Sequence, residues 1–98
     1  MRFPVYLHKT EKGTWSGFVP DAQGCFFAGD TIDEALSDAF CAIDTHVESL
    51  ADAGKALPQT AGIEAYIDDA ECQGGCWAFI EIDLSRYEGK AVKLNITL

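Results

Sequence analysis

The pattern of apolar residues and turn residues predicts three short β-strands within the first thirty positions. Residues 2–9 alternate between apolar and polar, and residues 14–19 and 25–29 form two further strands, which turn residues at 10–13 and 20–24 delimit. Such short connections favour antiparallel neighbours. Pro4 cannot donate a ladder hydrogen bond, so we expect the start of the first strand to lie at an edge or outside the pairing.

A single long helix is predicted to follow the third strand. Apolar residues recur at spacings of three and four from position 32 to position 51, which places them on one helical face. Thr31 and Glu34 form a capping-box pattern at the start. Gly54 stands where a residue in the left-handed conformation commonly ends a helix.

The remaining chain predicts two further strands. Residues 63–70 indicate one or two helical turns, and residues 77–84 form a mostly apolar strand that we expect in the centre of the sheet. Residues 91–98 alternate again. The β-β-β-α-β order predicts an α+β fold with one long helix on a small sheet. We therefore divide the chain into a domain at residues 1–84 and a C-terminal strand region at residues 85–98.

Composition favours a binding domain with a basic partner. The 98 residues carry 16 acidic and 7 basic side chains, a net charge of −9. Such an acidic balance favours fast association with a basic protein. The first residues lack the apolar run of a signal peptide, and no stretch approaches 18 apolar residues, so we expect a cytoplasmic protein without a membrane partner. The four cysteines are then expected to be reduced.

The sequence offers little for catalysis. It has two histidines, His8 and His46, and no glycine-rich phosphate loop. The strand order is that of part of the ribonuclease H fold, but the first strand carries no carboxylate to hold a metal ion. Cys72 and Cys76 could supply two thiolates to zinc, but a structural zinc site needs four ligands. We expect no enzyme activity, no metal and no cofactor.

The C-terminal segment has a different charge from the rest. Three of the seven basic residues lie in the last thirteen positions. Lys93, Asn95 and Thr97 share one face of the alternating segment, and a two-stranded ribbon carrying such side chains can enter the major groove of DNA. A ribbon-helix-helix reader also needs two helices after this strand. The alternative interpretation is an ordinary edge strand with its polar residues outward.

Two motifs resemble the HicB-like antitoxins of type II HicAB toxin–antitoxin systems. Residues 18–36 contain FVPDAQGCF and GDTIDEAL, where the family reads close to F-P-D-x-P-G-C and G-D-T-x-E-E-A. Residues 77–98 match as well, above all DLSRY and GKAVKLNITL. Ala22 and Gln23 stand where the family often has a proline. Together the motifs cover most of the chain.

The resemblance implies an antitoxin with a partial ribonuclease H-like N-terminal domain. In the family this domain binds a HicA toxin, a small protein that degrades messenger RNA and resembles basic double-stranded-RNA-binding folds. The C-terminal region of the family binds the operator of its own operon, as a ribbon-helix-helix or helix-turn-helix. Residues 93–98 resemble the opening strand of the ribbon-helix-helix type. The resemblance thus implies neutralisation of the toxin, with transcriptional autorepression where the C-terminal region is complete.

Candidate contact residues follow from the resemblance together with the charge pattern. For toxin binding we expect the acidic helix face and the loop before it. These residues are Asp21, Phe26, Asp33, Asp38, Asp44 and Glu48. For DNA binding we expect Lys93, Asn95 and Thr97 of the C-terminal strand.

An unpaired apolar edge at residues 92–98 would be a liability, so we expect a homodimer or homotetramer. Two other functions remain open from the sequence. One is a non-catalytic DNA-binding transcriptional regulator, and the other is a regulatory module for another protein.

Overall fold

The computed structural model describes residues 1–85 and 87, which form an antiparallel sheet with one long helix on one face. The elements are β1 (Arg2–Lys9), β2 (Trp15–Phe18), β3 (Phe26–Gly29), α1 (Ile32–Asp52) and β4 (Cys76–Glu81). The predicted α+β class and β-β-β-α-β order are confirmed. The predicted strand at 91–98 lies outside the described residues, and the division at residue 84 stays a prediction.

The sheet order is β3-β2-β1-β4, and every neighbouring pair is antiparallel. Backbone groups of successive residues in such a strand point to opposite neighbours. The N-terminal ammonium donates to the Ile82 carbonyl at 2.7 Å and the Ile82 N–H donates to the Met1 carbonyl at 2.8 Å, so odd-numbered residues of β1 bond to β4. Pro4 therefore faces β2, whose pairing begins only at Tyr6. The expected place of Pro4 outside the pairing is confirmed on that side.

The prediction that the fourth strand is central was wrong among the described residues. β4 lies at an edge of the sheet, next to β1. The apolar residues of β4 lie on both faces of the sheet. Ile80 is buried towards the helix, whereas Phe79 lies on the other face and is 50% exposed. β4 also ends at Glu81 rather than at residue 84. Asp83 Oδ1 accepts a 3.0 Å hydrogen bond from the Ser85 N–H, which turns the chain there.

Both ends of α1 are capped by local hydrogen bonds. The Glu34 N–H donates to Thr31 Oγ1 at 3.1 Å, as the capping-box pattern predicts. The Glu34 carboxylate reaches one residue further back than predicted and accepts from the Asp30 N–H at 3.1 Å. At the other end Gly54 has φ +69°, and the N–H groups of Gly54 and Lys55 donate to helix carbonyls at 3.1 and 2.9 Å. This is a Schellman ending, so the predicted helix stop is confirmed.

The core fills the space between α1 and one face of the sheet. Burying a large aliphatic or aromatic side chain there contributes about 1.5–3 kcal/mol each. The fully buried contributions come from Phe3, Val5, Leu7, Ala35, Ala39, Ile43 and Val47. Two residues of the predicted helical stripe stay largely outside this core: Ile32, the first helical residue, and Phe40, at the margin of the stripe, are 40% and 44% exposed.

The connector between α1 and β4 contains little regular structure. It makes two single turns of 3₁₀ helix, Ile63–Ala65 and Ala70–Cys72. The prediction of helical turns at 63–70 is thus confirmed for its first part. Tyr6 anchors the connector, because its hydroxyl donates to the Gln73 carbonyl at 2.7 Å. The connector therefore lies against the sheet near the start of β4.

Candidate functional site

Two carboxylates of the helix accept outward N–H groups at the free edge of β3 and just beyond its end. The Val19 N–H donates to the Cys25 carbonyl at 3.0 Å, which directs the backbone groups of Phe26 and Ala28 away from β2. The Ala28 N–H then donates to Asp38 Oδ2 at 3.0 Å. The next outward N–H, that of Asp30, is taken by Glu34. The helix thus covers this strand edge with negative charge.

Phe26 is the most exposed large apolar side chain among the described residues. Its relative exposure is 71%. Two shallow hollows of about 510 and 530 Å³ flank it, and Asp38 lines both of them. A bulky ring standing between concave surfaces is typical of an anchor residue in a protein interface. The structure therefore brings two of the predicted toxin-binding residues, Phe26 and Asp38, into one patch.

The other acidic helix residues of the predicted set lie elsewhere around α1. Asp38 and Asp44 are six residues apart, which separates them by about 120° around the helix. Asp33 and Asp44 are eleven residues apart, about three turns, and so share the flank opposite Asp38. Asp44 is half-buried and accepts a hydrogen bond of 2.5 Å from the Tyr87 hydroxyl. Glu48 is exposed on the side of the helix facing away from the sheet.

Asp21 is committed to contacts within the chain. It is half-buried, and its Oδ1 accepts from the Tyr66 hydroxyl at 2.5 Å and from the Ala61 N–H at 3.2 Å. The hydrogen bond to Asp21 is the main cause that raises the pKa of Tyr66 to about 12, and burial adds to it. Asp21 thereby ties the connector to the loop between β2 and β3. This contact positions the loop that ends at Phe26.

Negative charge is concentrated around this patch. Seven of the sixteen acidic residues lie between positions 30 and 52, where there is no lysine or arginine. The last helical turn carries no basic residue, although a cation there would favour the helix dipole. Asp38 also contributes, after burial, to raising the pKa of the neighbouring Cys25 thiol. The patch is therefore suited to a partner that brings positive charge.

An aromatic group on the opposite face of the sheet was not recognised in the sequence as one surface. Tyr6 lies at its centre, with ring centroids 5.4 Å from Trp77 and 6.0 Å from Phe18. The Arg2 guanidinium lies 5.6 Å from the ring centroid of Phe79. The sequence of each strand indicates which residues share a face of that strand. Which residues of different strands lie side by side is known only from the strand register.

Metal ligands do not gather in the part of the chain that the structure describes. No three histidine, cysteine or acidic residues among residues 1–85 and 87 come close enough to hold an ion. Cys25 and Cys72 are buried, whereas Cys41 and Cys76 are exposed, and all four are free thiols. Over the same residues, no helix is long and apolar enough to cross a membrane.

The fold and this surface define a small α+β domain with a negatively charged patch at one sheet edge. The model of the HicB-like antitoxins of bacterial toxin–antitoxin systems matches residues 3–98. The chain belongs to this family.

Relatives and solved structures agree with that assignment. An uncharacterised 14.9 kDa protein of Haemophilus phage HP1 is 38% identical over all 98 residues, which span 73% of that protein. The N-terminal domain of Burkholderia pseudomallei antitoxin HicB is similar with a TM-score of 0.78 and 33% identity, over 86% of this chain and all of that one. A chain of the HicA3 and HicB3 toxin–antitoxin complex has a TM-score of 0.69 and 38% identity, over 85% and 99% of the two chains.

The three predicted DNA-binding residues cannot be placed on this surface. Lys93, Asn95 and Thr97 lie outside the described residues. Their role stays a prediction from the sequence.

Proposed function

We propose that this protein is an antitoxin that binds a HicA-like, messenger-RNA-degrading toxin and silences it by covering its basic RNA-binding surface. The observation that carries the proposal is the family match over residues 3–98. The similarity to a chain of a toxin–antitoxin complex, at 38% identity, supports the same partner. Neutralisation of this kind needs occlusion only, so the proposal assigns no catalytic residue to this chain.

We place the main toxin contact at Phe26 and Asp38. Phe26 offers an exposed ring at 71% relative exposure, which is the kind of residue that dominates the affinity of an interface. Asp38 uses Oδ2 to hold the β3 edge, while its Oδ1 makes no hydrogen bond within residues 1–85 and 87. That oxygen is available to a lysine or arginine of the toxin.

The remaining acidic residues act mainly on the rate of association. Asp33 and Glu48 are exposed, and exposed charges at the rim of an interface steer a basic partner without adding much affinity. Asp21 and Asp44 contribute indirectly, because their carboxylates already bind Tyr66 and Tyr87. The six predicted residues thus divide into two contacts, two steering charges and two positioning groups.

The test is co-purification with a HicA-like toxin, sought as a small basic protein that the tagged chain captures from its native cells, followed by RNA cleavage by that toxin with and without this protein. Phe26→Ala is expected to weaken binding by about tenfold or more, as truncation of an interface anchor does. Phe40→Ala is the matched control, because this phenylalanine is also exposed, at 44%, but is separated from Asp38 around the helix.

A second pair of variants tests the charges. Asp38→Asn is expected to raise the dissociation rate of the complex, because the contact to a toxin cation is weakened. Asp33→Asn is expected to lower the association rate at low salt only. Equal losses for Phe26→Ala and Phe40→Ala would reject the proposed patch. Unimpeded RNA cleavage at saturating antitoxin would reject the antitoxin function itself.

A second function, autorepression, is supported by the pattern of the C-terminal segment. Three of the seven basic residues lie in its last thirteen positions, and Lys93, Asn95 and Thr97 alternate on one face. Binding of the promoter DNA of its own operon, measured by mobility shift, would support it. Repression without any toxin partner would favour a DNA-binding regulator, and stable capture of an unrelated protein would favour a regulatory module.

A further inference from the structure

A cleft lies between the connector and the hairpin of β2 and β3. Its volume is about 370 Å³, and it is more enclosed than the two hollows described above. Phe18 and Phe26 line its hairpin side, and because they are paired across the two strands their side chains share one face of the sheet. Tyr66, Asp69 and Glu71 line it from the connector. The cleft therefore combines an aromatic wall with two carboxylates.

Hydrogen bonds within the chain hold both sides of the cleft in place. The Tyr66 hydroxyl donates to Asp21 Oδ1 at 2.5 Å, which fixes the connector to the loop between β2 and β3. The side-chain amide of Gln73 donates to the Asp69 carbonyl at 2.9 Å and so orders the segment that carries Asp69 and Glu71. Because these groups are positioned before a partner arrives, less entropy is lost when the cleft is filled.

The charge in the cleft is negative. Asp69 and Glu71 are exposed, and their carboxylates make no hydrogen bond or ion pair within residues 1–85 and 87. Asp21, which accepts from Tyr66, has its Oδ2 buried with no hydrogen-bond partner among the same residues. The hydrogen bond to Asp21 and burial raise the pKa of Tyr66, and the charges of Asp21 and Asp69 add to that rise. No basic side chain in the described part of the chain lines the cleft, which therefore favours a cation.

The cleft lies on the opposite side of the sheet from the point at which the described chain ends. Tyr87 donates its hydroxyl hydrogen to Asp44 of α1, on the helix side. Phe18 lies on the other face, with its ring centroid 6.0 Å from that of Tyr6. We therefore expect the cation to come from a partner protein rather than from this chain.

The lining of the cleft favours arginine over lysine. A guanidinium is planar, stacks on aromatic rings and can donate to two carboxylate oxygens at once, whereas an ammonium is a compact and strongly hydrated charge. Phe18 and Phe26 supply the rings, and Asp69 and Glu71 supply the acceptors.

We infer that this cleft receives an arginine side chain of the toxin, with the guanidinium beside Phe18 and Phe26 and its N–H groups donating to Asp69 and Glu71. The inference rests on the proposed function, because the toxin is the basic partner that it names. It adds a contact on the connector to the proposed contact at Phe26 and Asp38. Phe26 then separates two places at which the toxin is held.

Binding of argininamide to the full 98-residue chain tests the cleft without the toxin. Citrullinamide is the matched probe, because it has nearly the same shape and no charge on its side chain. Argininamide is expected to shift the amide resonances of Phe26, Asp69 and Glu71, and Glu71→Gln should weaken its binding about threefold. Asp68→Asn removes an exposed carboxylate that does not line the cleft and should leave the binding unchanged. Equal shifts with the two probes, or no shift at these residues, would overturn the inference.

The toxin then tests the occupant. The double variant Asp69→Asn with Glu71→Gln is expected to bind the toxin about tenfold more weakly than the wild type, because the toxin shields the cleft from water. Asp68→Asn is again the control, and circular dichroism verifies that the variants fold. Wild-type affinity in the double variant would overturn the inference and leave the proposed function in place. A wild type that binds no toxin would reject the proposed function, and the argininamide result would still decide whether the cleft binds a guanidinium.

Discussion

The two edges of the sheet differ in how their outward backbone groups are hydrogen-bonded. Both expose backbone N–H and C=O groups that lack a neighbouring strand. At β3 the helix supplies Asp38 and Glu34, whose carboxylates accept the outward N–H groups of Ala28 and Asp30. At β4 the outward groups of the strand have no partner within the described residues. The helix thus covers part of the β3 edge, whereas within the described residues it supplies no hydrogen bond to the β4 edge.

The two edges therefore offer different groups to a binding partner. The β3 edge offers side chains, namely one exposed phenylalanine and a dense group of carboxylates, and so favours a partner of opposite charge. Among the described residues, the β4 edge offers backbone N–H and C=O groups beside the exposed ring of Phe79, with the Arg2 guanidinium over that ring. The proposed basic partner would therefore cover the β3 edge and leave the β4 edge uncovered.

The largest expected effect comes from separating α1 from β3. A Cβ on Gly29 would lie 2.4 Å from the Ala35 nitrogen and 2.7 Å from the Glu34 carbonyl carbon, both backbone atoms of the first helical turns. Gly29→Ala therefore has to push the helix away from the strand, and we expect it to lower the free energy of unfolding by about 3 kcal/mol. Urea denaturation measures this loss.

Gly13→Ala is the control for Gly29→Ala. Gly13 has φ +86° and an added Cβ meets nothing within 4 Å, so its cost of about 1 kcal/mol comes from backbone conformation alone. Equal losses in the two variants would contradict the close approach of helix and strand at Gly29. A larger loss at Gly29 would establish that the covered β3 edge depends on that approach.

Removing the carboxylate that covers part of the β3 edge is expected to have an intermediate effect. Asp38→Ala leaves the Ala28 N–H to water and removes a charge-assisted hydrogen bond, so we expect a loss of about 1.5 kcal/mol in the free energy of unfolding. Ser37→Ala, at an exposed neighbouring helical position, is the control and should change stability little.

The same variant also tests whether the β3 edge is covered in solution. Hydrogen exchange of the Ala28 amide should become faster in Asp38→Ala, because the amide loses its acceptor. Unchanged exchange at Ala28 would show that Asp38 does not hold this edge, and the contrast between the two edges would then disappear.

Local features of the fold could be predicted from the sequence, because they depend on residues close together in the chain. The helix, its Thr31 cap and its ending at Gly54 follow from spacings of a few residues. The position of β4 could not be predicted in the same way. Its apolar composition fits a central strand, but here Trp77 and Phe79 serve the outer face of an edge strand.

The candidate site was predicted by residue type rather than by geometry. Charge and resemblance indicated the acidic helix and the loop before it as one set, although the six-residue spacing of Asp38 and Asp44 already places them on different flanks of a helix. The roles of Asp21 and Asp44 depend on contacts with Tyr66 and Tyr87 that span 45 and 43 residues. Sequence patterns of short period carry no information about contacts at that range.

The smallest expected effect concerns the charge at the end of the β4 edge. The hydrogen bond from the N-terminal ammonium, followed by the charge of that group, lowers the pKa of Glu81 below its usual value. A lowered pKa contributes stability that is present above the pKa of the unfolded chain, 4.5, and is lost as the pH falls through the folded value. Glu81→Gln should therefore be slightly less stable than the wild type at neutral pH and equal to it in acid.

Salt provides the second measurement on Glu81. This carboxylate is exposed, so the difference between wild type and Glu81→Gln should also shrink as ionic strength rises. Asp68→Asn, which removes an exposed carboxylate from the connector, is the control and should show no such convergence. A Glu81 difference that persists in acid and at high salt would mean that this side chain supports the β4 edge by packing, and the edge would then depend on more than its backbone.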